Sequence, residues 1–197
     1  MRCLGIAFFK LSFMKKIVPL LLVLFCFSCV TFNAEFKGLY GYQDKTNKLY
    51  PGLLVRPNTD VQICNISKTD KPEVIISNGK QLRECMLRSE RAVLYVWNPL
   101  CSSKLCYAIN VVQRECSKKK IDLYIVAEYY DGPTMNQDYQ IERPLFGIDV
   151  DFYQSSFCDK YIPKFMNDLI GTPSRDNKFI EFRNGSYTRT FDRLEEL

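Results

Sequence analysis

The sequence predicts an α/β protein with a central mixed sheet of about four to five strands, flanked by helices and preceded by an N-terminal β extension. Residues 92–97 and 121–127 are continuous apolar runs, which is typical of strands covered on both faces. Residues 102–117, between them, have apolar side chains at helical spacing, so we expect a crossover helix joining parallel strands. Residues 178–191 form two strand-like runs around an Asn-Gly pair, which favours a type I′ hairpin.

Further elements complete the predicted domain, residues 73–197. A short strand is predicted at residues 73–76, and Ser77 or Asn78 can cap the helix that follows. A third helix is predicted over residues 157–170, because its apolar residues recur at helical spacing. The stretch before it, residues 131–150, is rich in turn residues, so we expect an insertion or an irregular lead into that helix.

Residues 1–28 are predicted to be a signal peptide, in which residues 1–13 are an upstream extension. Two lysines precede a short apolar run at residues 17–27, and a serine then precedes Cys29. This order resembles a bacterial lipoprotein signal, in which Cys29 would carry the lipid and attach the chain to a membrane. An uncleaved anchor helix and plain secretion stay open, although the run is shorter than the ~20 apolar residues of a spanning helix. We expect a lipid-anchored protein of the cell envelope that faces the periplasm.

Residues 29–72 are predicted to be a lipidated leader with short strands. Residues 38–42, 50–55 and 61–66 each suggest a short extended piece, and turn signals separate them. We therefore expect an added strand or hairpin ahead of the main domain.

Charge and composition exclude several classes of function. The net charge is +5, but four basic residues and no acidic residue precede Cys29, so the remainder carries only +1. This gives no charge-based case for nucleic-acid binding. The chain has no histidine, which excludes Ser-His and Cys-His nucleophile pairs and histidine metal sites. We expect no metal and no cofactor.

The most informative stretch follows the apolar strand 92–97. The strand breaks after Trp97 at an Asn-Pro pair, and Cys101 then stands at the head of the predicted helix. A thiol at a helix N-terminus experiences the positive end of the helix dipole, which favours the reactive thiolate. Lys104, three residues further on, would add positive charge.

The segment Trp97-Asn98-Pro99-Leu100-Cys101 resembles the lead-in of the thioredoxin-like family, and the resemblance covers about residues 73–191. It implies a thioredoxin-like fold with Cys101 as the attacking cysteine and Trp97 and Pro99 beside the substrate groove. The family's loop proline, which faces the reactive cysteine, would be Pro173. The family's second cysteine falls where this chain has Lys104, and the nearest downstream cysteine is Cys106. Tyr95 stands where the family often has a buried acid.

Six cysteines follow Cys29, which allows 15 connectivities. Cys85 and Cys116 lie on apolar helix faces, so we expect both to be buried thiols. Cys101 and Cys106 can form a disulfide only if Cys101 precedes the first helical turn. A metal held by Cys101, Cys106 and further ligands is an alternative for this pair, but the spacing of two cysteines alone does not establish a tetrahedral site.

Two classes of function stay open. In the first, the protein is an extracytoplasmic thiol–disulfide oxidoreductase whose partners are protein thiols or disulfides. Cys101 attacks, and Cys106, Cys158 or a second substrate thiol resolves the mixed disulfide. In the alternative, Cys101 is structural, and a non-catalytic thioredoxin-fold lipoprotein binds a protein or peptide partner through residues 131–150 and the leader.

Overall fold

Seven strands form one mixed sheet in the computed structural model, which describes residues 38–58, 61–104, 106–174 and 178–197. The strands are β1 (Leu54–Val55), β2 (Val74–Ser77), β3 (Arg91–Trp97), β4 (Asp122–Ala127), β5 (Leu145–Ile148), β6 (Phe179–Arg183) and β7 (Ser186–Phe191). The helices are α1 (Gln43–Leu49), α2 (Gly79–Met86), α3 (Ile109–Lys118), α4 (Gly132–Met135) and α5 (Cys158–Ile170). Single 3₁₀ turns form at Ile63–Asn65 and Leu194–Glu196.

The strand order is β1-β2-β5-β4-β3-β6-β7. The first five strands in this order are parallel, whereas β6 is antiparallel to β3 and β7 to β6. The predicted mixed sheet flanked by helices is therefore confirmed. The predicted number of about four to five strands is wrong, because the described residues contain seven.

Strand β5 is the main element that the sequence prediction missed. It lies inside the turn-rich stretch 131–150 and is inserted between β2 and β4. It has only four residues, one of which is Gly147, so its own sequence carries little strand signal. All four are buried, and the side chain of Tyr130 packs over the glycine so closely that a Cβ there would meet its ring. Long-range packing, not local propensity, defines this strand.

The two predicted central strands are confirmed as β3 and β4. They pair in parallel from Ala92 opposite Asp122 to Trp97 opposite Ala127. Every residue from Ala92 to Trp97 is buried, as expected for a strand covered on both faces. The carboxyl ends of both strands lie at the same edge of the sheet, where open α/β sheets place their functional sites.

Local sequence signals predicted several other elements correctly. Asn78 caps α2 through a capping box with Gln81, in which each side chain accepts from the other residue's backbone N–H at 3.0 Å. Helix α5 contains Pro163 and ends at Gly171, whose φ is 78°. The hairpin β6–β7 turns at Asn184 and Gly185, both with positive φ, as a type I′ turn requires.

The leader differs from its prediction. The turn signals near residue 44 lie within helix α1, and only Leu54–Val55 joins the sheet as an added strand. The predicted extended piece at residues 61–66 contains a 3₁₀ turn. Within it, Cys64 forms a disulfide with Cys85 of α2, with the two Cα atoms 5.1 Å apart. The prediction that Cys85 is a buried free thiol is therefore wrong, because the leader brings a second cysteine onto that helix.

The predicted signal segment, residues 1–28, and the lipidation candidate Cys29 lie outside the described residues. Among the helices that the structure describes, none is both long enough and apolar enough to cross a membrane.

Candidate functional site

The candidate site is the segment between the end of β3 at Trp97 and the start of α3 at Ile109. It leaves the sheet at the carboxyl edge and carries Cys101 and Cys106, both half-buried. The two cysteines form a disulfide, and their Cα atoms are 5.8 Å apart. We call residues 98–104 and 106–108 the disulfide loop.

The prediction that a helix begins at Ser102 is wrong, because α3 begins at Ile109. In a helix, residues five apart are about 7.5 Å apart along the axis, which exceeds the usual Cα separation of a disulfide. The pairing of Cys101 with Cys106 therefore requires the irregular backbone that the disulfide loop has. Cys101 lies eight residues before the first residue of α3, and Cys106 lies three residues before it.

Asn98 fixes the first arm of the disulfide loop. Its side-chain amide donates to Glu128 Oε2 at 2.9 Å, and its Oδ1 accepts from the Tyr129 hydroxyl at 2.8 Å and from the Leu100 N–H at 3.1 Å. Burial raises the pKa of Tyr129 to about 12, so its hydroxyl stays a donor at neutral pH. The carbonyl of Asn98 also accepts from the Cys101 N–H at 3.2 Å. Residues at the end of β4 thus hold the backbone before Cys101.

Tyr95 fixes the second arm from inside the sheet. Its hydroxyl donates to the backbone carbonyl of Tyr107 at 3.0 Å, one residue after Cys106. Burial raises the pKa of Tyr95 to about 12, so its hydroxyl keeps its proton and stays a donor at neutral pH. The ring of Tyr95 stacks on Phe179 with the centroids 4.9 Å apart. The Tyr95 hydroxyl therefore connects the buried core of the sheet to the segment that carries Cys106.

Ser103 lies between the two cysteines in sequence, and its hydroxyl lies beside their sulfur atoms. Its Oγ is 3.0 Å from Cys106 Sγ and 3.6 Å from Cys101 Sγ. Its carbonyl accepts from the Cys106 N–H at 3.0 Å, which closes a tight turn. A hydroxyl group is therefore held next to the disulfide on the same short turn.

An open cavity of about 270 Å³ borders the disulfide. Four aromatic residues contribute to its wall, and Asn98, Asn110 and Thr134 add polar groups. Its aromatic residues are Tyr95, Trp97, Tyr107 and Tyr139. The rings of Trp97 and Tyr139 meet edge to face with centroids 5.7 Å apart. The cavity can accept an apolar or aromatic group beside the sulfur atoms.

The predicted site residues are only partly brought together. Trp97, Pro99, Cys101 and Cys106 all line this cavity. Lys104 is exposed on the disulfide loop. Pro173 is also exposed, but it lines a different open groove together with Tyr153, Lys164 and Asp168. The resemblance placed Pro173 beside the reactive cysteine, and it is not among the residues that line the disulfide cavity.

Sequence reasoning missed several residues of the site. Thr134 and Tyr139 reach the cavity from the turn-rich stretch 131–150, and no local pattern marks them. Glu128 and Tyr129 could have been suspected, because they directly follow a predicted parallel strand, at the same edge as Trp97.

Cys116 and Cys158, the free cysteines among the described residues, are both buried. Cys116 is 0 % exposed, and burial raises the pKa of its thiol to about 12. Cys158 is 1 % exposed, and its Sγ lies 3.2 Å from the Tyr161 hydroxyl. Both have the environment of structural cysteines, not of reactive ones. Among the described residues, no three His, Cys, Asp or Glu side chains come together as metal ligands.

Comparisons with known proteins found no family model, no curated protein and no solved structure that matches this chain.

Proposed function

We propose that the protein is an extracytoplasmic, thioredoxin-like thiol–disulfide oxidoreductase in which Cys101 and Cys106 form the exchanging pair. One observation carries the proposal: a half-buried disulfide stands on a loop at the carboxyl edge of the sheet, beside an open cavity. Catalytic disulfides need accessible sulfur atoms, whereas structural disulfides do not.

The chemistry needs only the two thiols and a substrate disulfide. In the reduced protein, one thiolate attacks the substrate and forms a mixed disulfide, and the second thiol displaces the substrate. Both arms of the disulfide loop are fixed, by Asn98 and by Tyr95, so the two sulfur atoms stay close after reduction. The partners are protein thiols or disulfides, and the aromatic cavity offers them a contact surface next to the sulfur atoms.

An oxidising compartment fits the cysteine usage. The disulfide Cys64–Cys85 joins the leader to α2, and such structural disulfides persist in secreted and envelope proteins. Together with the signal pattern before Cys29, this supports a lipid-anchored protein of the cell envelope that faces the periplasm.

The resemblance to the thioredoxin-like family supports the proposal only through the lead-in to the site. A buried parallel strand ends at Trp97, and the cysteine pair follows before the next helix. The later start of α3 and the additional strand β5 depart from the expected pattern, and Pro173 lines a groove other than the disulfide cavity.

A turnover assay tests the proposal. The full-length protein in detergent should accelerate reduction of a disulfide-bridged test peptide by glutathione, and Cys101→Ser/Cys106→Ser should abolish this acceleration. Cys116→Ala removes a cysteine elsewhere and should leave it unchanged. If the doubly substituted protein is as active as the parent, the oxidoreductase is excluded, and the non-catalytic binding protein becomes the better account.

A further inference from the structure

The position of Ser103 distinguishes the two sulfur atoms of the disulfide. Its Oγ lies 3.0 Å from Cys106 Sγ and 3.6 Å from Cys101 Sγ, so both sulfurs are within hydrogen-bond reach and Cys106 Sγ is the nearer one. Disulfide sulfurs carry no proton, so the serine hydroxyl is the donor. Of the two sulfur atoms, Cys106 Sγ is therefore the nearer acceptor for this hydroxyl.

The backbone keeps this arrangement in place. The Cys106 N–H donates to the Ser103 carbonyl at 3.0 Å, so the turn that positions the hydroxyl also includes the sulfur that it contacts. The Tyr95 hydroxyl holds the next residue, Tyr107, at 3.0 Å. Neither contact involves the S–S bond, so reduction of the disulfide removes neither of them.

A donor that is held near one thiol stabilises the thiolate form of that thiol and so makes it the more acidic of the pair. We propose that Cys106, not Cys101, is the attacking thiolate, and that Ser103 is a catalytic residue that donates a hydrogen bond to it. This inference rests on the proposed exchange function and reverses the order of the two cysteines that the sequence resemblance implied.

The position of α3 agrees with this assignment. Cys106 is three residues before the first residue of the helix, whereas Cys101 is eight residues before it. The positive end of the helix dipole acts only over short range, so Cys106 is the better placed of the two.

The proposed cycle balances in thiols and electrons. The Cys106 thiolate attacks one sulfur of a substrate disulfide, forms a Cys106–substrate disulfide and releases the other substrate sulfur as a thiolate that takes a proton from water. Cys101 then gives its proton to the hydroxide left by that step and attacks Cys106 Sγ, which forms the Cys101–Cys106 disulfide and releases the second substrate sulfur as a thiolate. The protein dithiol is oxidised by two electrons, and the substrate disulfide is reduced by two.

The rate of alkylation at pH 7 tests the assignment. In full-length Cys101→Ser, the remaining Cys106 should react with iodoacetamide at pH 7 faster than Cys101 does in Cys106→Ser. Adding Ser103→Ala to Cys101→Ser should slow the alkylation of Cys106 about tenfold. The reason is that loss of one hydrogen bond to a thiolate raises the thiol pKa by about one unit. Ser103→Thr keeps a hydroxyl and should restore most of the rate. Ser102→Ala, at the exposed neighbouring serine, is the matched control.

A second readout separates this inference from the function on which it rests. Cys101→Ser and Cys106→Ser are each mixed with glutathione disulfide, and the mixed disulfide on the remaining cysteine of the pair is quantified by mass spectrometry. Faster trapping on Cys106, slowed by Ser103→Ala, supports the assignment. Faster trapping on Cys101, or no effect of Ser103→Ala on Cys106, overturns the assignment and leaves the exchange function intact. If neither cysteine forms a mixed disulfide, both the assignment of Cys106 and the proposed exchange function are overturned.

Discussion

The hydroxyl of Tyr95 donates a 3.0 Å hydrogen bond to the carbonyl of Tyr107, and so joins the centre of β3 to the segment that carries Cys106. Tyr95 is 2 % exposed and stacks on Phe179, so its position is set by the core. The disulfide loop therefore takes part of its geometry from the interior of the sheet.

Tyr95→Phe should release the Cys106 side of the disulfide loop. The substitution removes one hydrogen bond to a backbone carbonyl and keeps the ring, so the free energy of unfolding should fall by about 1 kcal/mol. Amide hydrogen exchange should become faster at residues 106–108, while β3 and β4 stay protected. Tyr187→Phe, at a tyrosine that is 42 % exposed, is the control and should change neither quantity. Unchanged exchange in Tyr95→Phe would show that the hydroxyl does not hold the loop.

The two disulfides should differ in their effect on stability. Cys64 and Cys85 are 21 residues apart in sequence, and Cys101 and Cys106 only five. A disulfide that closes a longer loop restricts the unfolded chain more, so removal of Cys64–Cys85 should cost about 3 kcal/mol and removal of Cys101–Cys106 about 2 kcal/mol. Urea unfolding of Cys64→Ala/Cys85→Ala and Cys101→Ala/Cys106→Ala compares the two. A larger loss for the second variant would contradict the assignment of Cys64–Cys85 as the main structural disulfide.

Glu181 should make stability depend on acidic pH. Its carboxylate is 1 % exposed and accepts from three arginines of β3, β6 and β7. Burial alone would raise the pKa of Glu181, but the hydrogen bonds from Arg189, Arg91 and Arg183 outweigh it and lower the pKa. A carboxyl group with a lowered folded-state pKa contributes stability above its unfolded pKa of about 4.3, and that contribution is lost as the pH falls through the folded value.

Glu181→Gln tests this dependence. At pH 7 it should lower the free energy of unfolding by about 2 kcal/mol, which is below the range for a fully buried pair because the arginines reach solvent. It should also flatten the loss of stability between about pH 5 and pH 3. Glu84→Gln, at an exposed glutamate of α2, should do neither. If the free energy of unfolding falls with acidic pH in the same way in Glu181→Gln and in the parent, the role of Glu181 is refuted.

Gly147→Ala should destabilise the inserted strand β5. A Cβ at this position would lie 2.6 Å from the Tyr130 ring, and that ring is buried with its hydroxyl bonded to the Ile148 carbonyl at 2.9 Å. Overpacking of this kind costs about 1 to 3 kcal/mol. In a Tyr130→Ala background the ring is gone, so the added methyl group should cost close to nothing. A cost that persists in that background would mean that Tyr130 is not the reason for the glycine.

Local sequence signals predicted the elements whose form depends on neighbouring residues. The Asn-Gly pair fixed the β6–β7 turn, Asn78 marked the start of α2, and the apolar run of β3 marked a strand covered on both faces. These features depend on backbone conformation, capping and burial, which a single sequence displays directly.

The features that the sequence did not predict depend on contacts between distant residues. Strand β5 is defined by its pairing with β2 on one side and β4 on the other. Its four residues alone carry no clear strand pattern. The helical spacing after Ser102 predicted a helix there. The disulfide between Cys101 and Cys106 and the hydrogen bond from the Leu100 N–H to Asn98 instead hold that backbone in an irregular form. Tyr139 reaches Trp97 from a stretch that was predicted only as turns.

The redox equilibrium of the two disulfides tests the central claim most directly. The full-length protein is equilibrated in glutathione buffers of stepped potential, quenched with an alkylating reagent and analysed by mass spectrometry. We expect Cys101–Cys106 to be reduced between about −120 and −270 mV, as exchange-active pairs are, while Cys64–Cys85 stays oxidised in the same sample. Oxidation of both disulfides throughout this range, with Cys101–Cys106 reduced only below about −300 mV, would mark Cys101–Cys106 as structural and contradict the account.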